Sequence, residues 1–248
     1  MEAAVNPFPH FPKHRMELPL AYREIYEQHY LNNREGKYKT TSLSQKLESW
    51  MHKKVASDIQ QVGLNLETLE IGAGTLNQLN YEPQVLVYDI VEPFTKLFKH
   101  ATQLQRIRRV YDDISEIENQ QYDRITTIAT FEHIMNLPLV VAQAASLLKE
   151  KTGHLRVAIP NEGTLLWRLG TSITGFEFKK KYGLDYQTLM NYEHVNTAQE
   201  IEEVLEYFFE NAKCNVLGIS KRLAFYRFYD CWTPNKERVN NFLKENTQ

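Results

Sequence analysis

The chain predicts an α/β fold, a doubly wound and mostly parallel sheet with helices on both faces. Three observations lead there. Apolar runs of strand length alternate with amphipathic runs of helix length between residues 64 and 160. A glycine-rich turn, Gly72-Ala73-Gly74, directly follows the first of these runs. Acidic residues then recur at the carboxyl ends of the next runs, where open α/β sheets bind their ligands.

Residues 1–15 carry Pro7, Pro9 and Pro12 among aromatic and basic residues and read as an extended, exposed arm suited to assembly. Leu20, Tyr22, Ile25, Tyr26, His29 and Tyr30 mark one face of a helix, followed by a turn over residues 32–36. Leu43, Leu47, Trp50, Met51 and Val55 recur at helical spacing in a second, which Ser42 or Ser44 can cap. Arm and helices form an N-terminal helical cap over residues 1–62, and residues 63–248 form the main domain.

Within that domain Leu66–Ile71 is the first strand and Val85–Glu92 the second, stopped by Pro93. Phe94, Leu97, Phe98, Ala101 and Leu104 trace one face of a helix. Arg108–Tyr111 and Arg124–Ala129 are the third and fourth strands. Val140, Ala144, Leu147 and Leu148 give the next helix, ended by Gly153. His154–Ile159 is the fifth strand, stopped by Pro160. Residues 161–196 break the alternation and form a substrate-side insertion above it. Thr197 and Glu200 make a capping box before Ile201, Val204, Leu205, Phe208 and Phe209, the clearest helix in the chain. Val216–Ile219 and Ala224–Tyr229 read as two last strands around the basic turn Lys221-Arg222.

Composition narrows the function classes. A net charge of −2 gives a nucleic-acid partner no support. The short basic clusters at Arg106, Arg108, Arg109 and at Lys179–Lys181 read as solvated faces. Cys214 and Cys231 form no Cys-x-x-Cys pair, so no zinc, other metal or redox motif is expected. The start lacks the basic and apolar segments of a signal peptide. No apolar run reaches the roughly 20 residues that span a bilayer. The expectation is a cytoplasmic protein without a membrane span, with a homodimer left open.

The residues carrying chemistry begin with Glu70-Ile71-Gly72-Ala73-Gly74-Thr75-Leu76. Glycines two apart at a strand-to-helix turn let a ligand approach the backbone. The acid before them suits a cofactor with an amino-acid tail and a ribose better than a pyrophosphate, which favours amide donors without a neighbouring carboxylate. Three further features follow in order at strand ends: Glu92, Asp112-Asp113-Ile114, and Thr130-Phe131-Glu132-His133. An acid ending the second strand can accept from two ribose hydroxyls. Asp89 competes for that role but lies three residues too early, in mid-strand.

The first stretch resembles motif I of the class I S-adenosylmethionine (SAM)-dependent methyltransferases, Glu/Asp-x-Gly-x-Gly-x-Gly, with Leu76 at the third glycine position. The resemblance covers roughly residues 64–160, with a weaker resemblance in the tail to 248. It implies a seven-stranded sheet with an antiparallel last strand, and SAM as cofactor. It implies that Glu70, Gly72, Ala73, Gly74 and Thr75 form the glycine-rich part of the cofactor site. Glu92 would hold the ribose. Asp112 or, preferably, Asp113 would accept from the adenine amino group, with the Ile114 amide donating to the ring. Thr130 and Phe131 would lie near the sulfonium, in a segment like the family's Glu-His element.

Methyl transfer to oxygen or nitrogen calls for alignment and often for removal of a proton, which histidine can accept near neutral pH. His133 follows the fourth strand. His194, in Tyr192-Glu193-His194-Val195-Asn196, resembles a histidine segment of many small-molecule methyltransferases. Glu193 or Glu132 are the acids available to orient either ring. Tyr22, Tyr26, Tyr30, Trp50, Trp167, Phe176, Tyr182 and Tyr186 give the acceptor side an aromatic excess. Arg34, Lys37 and Lys39 suit either an anionic group on the acceptor or a solvated loop. The expected function is methylation of an oxygen or nitrogen atom on a small molecule or glycan precursor. Thr130-Phe131-Glu132-His133 stands where enzymes acting on adenine N6 or glutamine carry an Asn-Pro-Pro-Tyr-like element. Two alternatives share the fold. A nicotinamide-dependent oxidoreductase explains the glycines and Glu92 but neither Glu70, Leu76 nor the Asp pair. The other is a catalytically silent protein that binds SAM or only a protein partner.

Overall fold

A computed structural model describes residues 6–23, 25–26, 42–59, 66–83, 87–164, 167, 175–176 and 178–246. Seven strands form one sheet: β1 (Glu67–Ile71), β2 (Val87–Val91), β3 (Ile107–Tyr111), β4 (Arg124–Ile128), β5 (His154–Pro160), β6 (Phe209–Ser220) and β7 (Leu223–Pro234). Their order is β3-β2-β1-β4-β5-β7-β6. Neighbours from β3 to β5 are parallel, whereas β7 runs antiparallel to both β5 and β6. The strand predicted to be antiparallel is thus the last in the chain. All five residues of β4 are buried, as expected of a central strand covered on both faces.

The labelled helices are α1 (Ser42–Val55), α2 (Leu137–Ser146), α3 (Tyr186–Glu193), α4 (Ala198–Phe208) and α5 (Lys236–Asn246). α2, α4 and α5 bury Val141, Ala145, Ile201, Val204, Phe208 and Phe242 in the main core with Leu69, Ile125 and Val157. On the other face Met51 and Val55 of α1 pack on Ile128, Ala158 and Phe228. The predicted capping box exists, with Thr197 accepting from the Glu200 amide and Glu200 accepting from the Thr197 amide. Such a cap stabilises by about 1 kcal/mol, and each large apolar side chain of α4 adds about 1.5–3 kcal/mol on burial.

Several expectations are corrected. The helix expected over Phe94–Leu104 is two 3-10 turns, Thr95–Leu97 and Thr102–Arg106, because the backbone turns extended at Ala101. Phe98, Ala101 and Leu104 still pack on the sheet, but Phe94 is exposed. α2 ends at Ser146 rather than near Gly153, and Leu148 then forms a bridge with Tyr122. Gly153 instead permits a close approach, since a Cβ there would lie 2.6 Å from the Lys149 carbonyl. β6 and β7 are 12 residues each, and Phe209 opens β6 instead of closing the helix before it. α5 was not read from the sequence.

The N-terminal arm is not exposed at its aromatics. Phe8 packs edge-on against Tyr207 and Phe242, at 5.0 and 5.9 Å between ring centroids. Residues 20–23 and 25–26 are helical, with Tyr22 buried but Leu20 facing solvent. Tyr30, the turn at 32–36, Arg34, Lys37, Lys39, the side chains of Ser42, Leu43, Ser44 and Leu47, and the boundary near residue 62 lie outside the described residues.

Candidate active site

The strand order reverses between β1 and β4, so the crevice at their carboxyl ends is the expected ligand site. Gly72 and Gly74 both take left-handed backbone, with φ of 72° and 52°. A Cβ on Gly72 would lie 2.3 Å from Thr130 Cγ2, so this glycine first of all lets the β4 loop close on the turn. The Gly74 amide donates to Glu92 Oε2 at 2.8 Å, and the Phe94 amide donates to Oε1 at 3.0 Å. Glu92 and the glycine-rich turn, apart in sequence, therefore form one polar wall. Asp89 is occupied inside the sheet, accepting from Arg108 at 2.6 and 2.9 Å and from Tyr122 at 2.8 Å.

Leu76, at the third glycine position, adopts φ 63° and ψ 28°. The backbone path of a glycine is kept by a leucine that is fully buried with Leu79, Tyr88 and Ile90. Left-handed backbone costs a non-glycine residue about 1–2 kcal/mol, which burial of the leucine side chain offsets. Glu70 is buried beneath the turn and accepts from the Tyr88 hydroxyl at 2.9 Å. Burial pushes its pKa up to about 8, with the charges of Glu82 and Glu92 adding to the rise and the Tyr88 hydrogen bond opposing it.

Asp112 and Asp113 are exposed at the end of β3, while Ile114 is buried. Asp113 caps the turn Ile114–Glu116, its Oδ1 accepting from the Ser115 amide at 2.8 Å. The crevice is closed from the other side by Glu48, Met51 and His52 of α1, which face Glu70, Gly72, Ala73, Gly74 and Thr75. His52 bonds through Nδ1 to Gln78 at 2.8 Å and stacks on Tyr81. Sequence reading missed these three α1 residues, whose signal was only their helical spacing in the segment preceding the turn.

Ala129 closes β4 with a φ of 48°, and Thr130, Phe131 and His133 follow in a 3-10 turn. The His133 Nδ1–H donates to the Glu193 carbonyl at 2.9 Å. His194 ends α3, and its ring meets that of His133 edge to face at 4.7 Å. The structure thus brings together the two histidines read from the sequence. Glu162 is hydrogen-bonded to His194 Nδ1, while Glu132 Oε1 lies 3.9 Å from His133 Nε2. Burial pulls the His194 pKa down, but the Glu162 bond and charge outweigh it, with Glu132 and Glu193 contributing, and the net shift is upward. Glu162 stands two residues beyond the end of β5, a position that could have marked it.

Of the aromatics expected on the acceptor side, Trp167 stacks on His194 at 6.0 Å. Phe176 faces solvent. Tyr22, Tyr26, Tyr182 and Tyr186 pack with Phe178 in a separate cluster, and Trp50 packs against the α1 core. A second cleft lies at the opposite, amino ends of β4 and β5, lined by Asp58, Arg124, His154, Arg156 and Asp230. Its buried charges pair with one another. No helix among the described residues is long and apolar enough to cross a membrane.

Comparison with known proteins agrees with this fold. The CurJ carbon methyltransferase superposes with a TM-score of 0.56 at 18% identity, over 86% of this chain and 61% of that one. This chain therefore spans about three fifths of that chain's length. The plantazolicin methyltransferase BpumL, in complex with a pentazolic desmethylPZN analog and SAH, superposes with a TM-score of 0.59 at 13% identity, over 87% and 92% of the two chains. At these identities the likeness is one of fold. No curated protein matches the chain in sequence. The family model for the methyltransferase domain matches residues 43–212. With the strand order, the Glu70–Gly74 turn and this match together, the chain belongs to the methyltransferase domain family and has the fold of the class I SAM-dependent methyltransferases.

Proposed function

We propose that the protein transfers a methyl group from SAM to an oxygen or nitrogen atom of a small molecule or glycan precursor. The observation that carries the reading is the half-buried His194–Glu162 pair standing beside the β4 loop at the same end of the sheet as the glycine-rich turn. When bound, SAM supplies an activated methyl group on a sulfonium.

The chain's residues fit such a cofactor. Gly72, Ala73, Gly74 and Thr75 offer an approachable backbone over the acid Glu70. Glu92 is already oriented by two amides and retains lone pairs for ribose hydroxyls. Asp113, with Asp112 beside it, offers Oδ2 to an adenine amino group, and the Ile114 amide lies next in the chain. Thr130 closes on Gly72 from the β4 side, whereas Phe131 is fully buried in the main core and supports that loop from beneath.

On the acceptor side His194 takes the proton of the attacking heteroatom through Nε2, while Glu162 holds Nδ1 and stabilises the imidazolium. The ring of Trp167 gives the acceptor a planar wall. His133, fixed through Nδ1–H to Glu193, orients the loop. Both cysteines are free thiols, which suits a cytoplasmic setting.

Calorimetry with SAM and S-adenosylhomocysteine, with NAD and NADP as controls, tests the cofactor. Release of S-adenosylhomocysteine from an acceptor panel, in wild type and His194→Ala, tests the chemistry. Binding of the first two alone and loss of turnover in the variant support the reading. Nicotinamide preference, or wild-type turnover in His194→Ala, overturns it.

A further inference from the structure

Five successive backbone carbonyls of the β4 loop, from Phe131 to Met135, each accept a hydrogen bond. Phe131, Glu132 and Ile134 are claimed from one side by Val195 and Asn196. The carbonyls of His133 and Met135 are claimed from the other side by the N-terminal arm. Lys13 donates its amide to Met135 at 2.8 Å, and Arg15 Nη2 donates to His133 at 3.0 Å. Lys13 through its backbone and Arg15 through its side chain thus hold two carbonyls of the same loop.

The same arm is anchored at both ends. Phe8 sits among Tyr207, Phe208 and Phe242 of α4 and α5. The Lys13 ammonium pairs with Glu200 in the first turn of α4. Leu18 and Tyr22 are buried with Phe178 and Leu189, and the Tyr22 hydroxyl donates to the Asp185 carbonyl and accepts from its amide. Between these anchors the Arg15 guanidinium lies 5.5 Å over the ring of Tyr192, two residues before His194.

We propose that residues 8–22 form a strap that fixes the His133–His194 pair, and that Arg15 is its positioning residue, joining the β4 loop to the end of α3. The inference rests on the reading of these histidines as the acceptor side of the site. Arg15 contacts no reacting atom. It holds the carbonyl of one histidine and the approach to the other, and small displacements of such pairs matter disproportionately in catalysis.

The test uses the full chain and the nitrogen-15 signals of the imidazoles. Wild-type His133 should show one tautomer, with the proton on Nδ1. In Arg15→Ala its two ring-nitrogen signals should converge and broaden, as the loop drifts from the Glu193 carbonyl. Arg15→Lys should recover part of the wild-type pattern, because an ammonium still donates to the His133 carbonyl but covers Tyr192 less well. Affinity for S-adenosylhomocysteine should stay as in wild type in both. A wild-type His133 spectrum in Arg15→Ala overturns the proposal, as does equal disturbance in the two variants. The readout needs no turnover, so it stands apart from the His194→Ala assay. A strap confirmed beside an active His194→Ala would refute only the base assignment.

Discussion

The Gly74 amide donates to Glu92 Oε2 across 2.8 Å, joining the turn after β1 to the end of β2. The bond fixes one carboxylate oxygen beside the glycine-rich turn. Because Glu92 is buried and also serves the Phe94 amide, its loss would strand two donors. An orphaned buried donor costs about 1–3 kcal/mol. Glu92→Ala is therefore expected to melt several degrees lower than wild type. It should also bind S-adenosylhomocysteine at least about tenfold more weakly, a loss of about 1.4 kcal/mol or more. Calorimetric titration beside thermal melts checks both. Wild-type affinity in a destabilised variant would leave Glu92 only its structural part.

Gly72 answers to Thr130 before it answers to any cofactor. A Cβ at Gly72 would meet Thr130 Oγ1 at 2.4 Å and Cγ2 at 2.3 Å, on backbone with a positive φ. Gly72→Ala is expected to lower stability by about 1–3 kcal/mol without any ligand present. Thr130→Gly, which removes the opposing side chain, should restore part of it in the double variant. A double-mutant cycle by denaturant melts reads the coupling. Additive losses would show that the clash does not govern this position.

The central sheet was legible because β1, β2, β4 and β5 are short apolar runs buried on both faces, and their limits match the sequence pattern within a few residues. The edge hairpin was legible only around its turn. Glu210, Lys213 and Asn215 interrupt the apolar period of β6, so only its last part, Val216–Ile219, read as strand. The Phe94–Leu104 face has the right spacing for a helix, yet the chain takes two tight turns that pack Phe98, Ala101 and Leu104 on the sheet and leave Phe94 in solvent. At the site, Gly72, Gly74, Glu92 and His133 could be placed by strand ends, and His194 by its position just before the capping-box helix. Glu162 could not be matched to His194, because their contact spans 32 residues of insertion that carry no periodic signal. The arm's docking was hidden for a related reason: its partners lie in α4, α5 and the β4 loop, far along the chain.

Glu70 should make cofactor-free stability fall with rising pH. Its pKa is about 8 in the fold against an ordinary 4.5, because burial disfavours the charged form. The folded state therefore holds a proton that the unfolded state has released. Its contribution is fully present below 4.5 and is lost as pH rises through about 8. Glu70→Gln keeps an acceptor for Tyr88 and has no proton to lose. Its melting temperature should gain on wild type steadily across that window. A constant difference between the two melting curves would contradict the assigned burial effect.

In the His194–Glu162 pair burial opposes the shift instead of causing it. Burial alone would favour the neutral imidazole, but the Glu162 carboxylate raises the folded pKa above the ordinary 6.5. The stabilisation is fully present below 6.5 and fades as pH climbs through the folded value. Glu162→Gln removes the charge while keeping a hydrogen-bonding side chain, so burial then prevails and the His194 pKa drops. The stability gap between wild type and variant should shrink with rising pH. Turnover should respond as well, since a base works only when neutral. The ascending limb of the wild-type profile belongs above 6.5 and should move to lower pH in Glu162→Gln. The maximum rate should fall by less than the roughly hundredfold that loss of the base itself would cost, because His194 remains as a weaker base. Imidazole titration by NMR and a pH–rate profile decide it together. An unmoved limb with an unmoved His194 titration would detach Glu162 from the reaction.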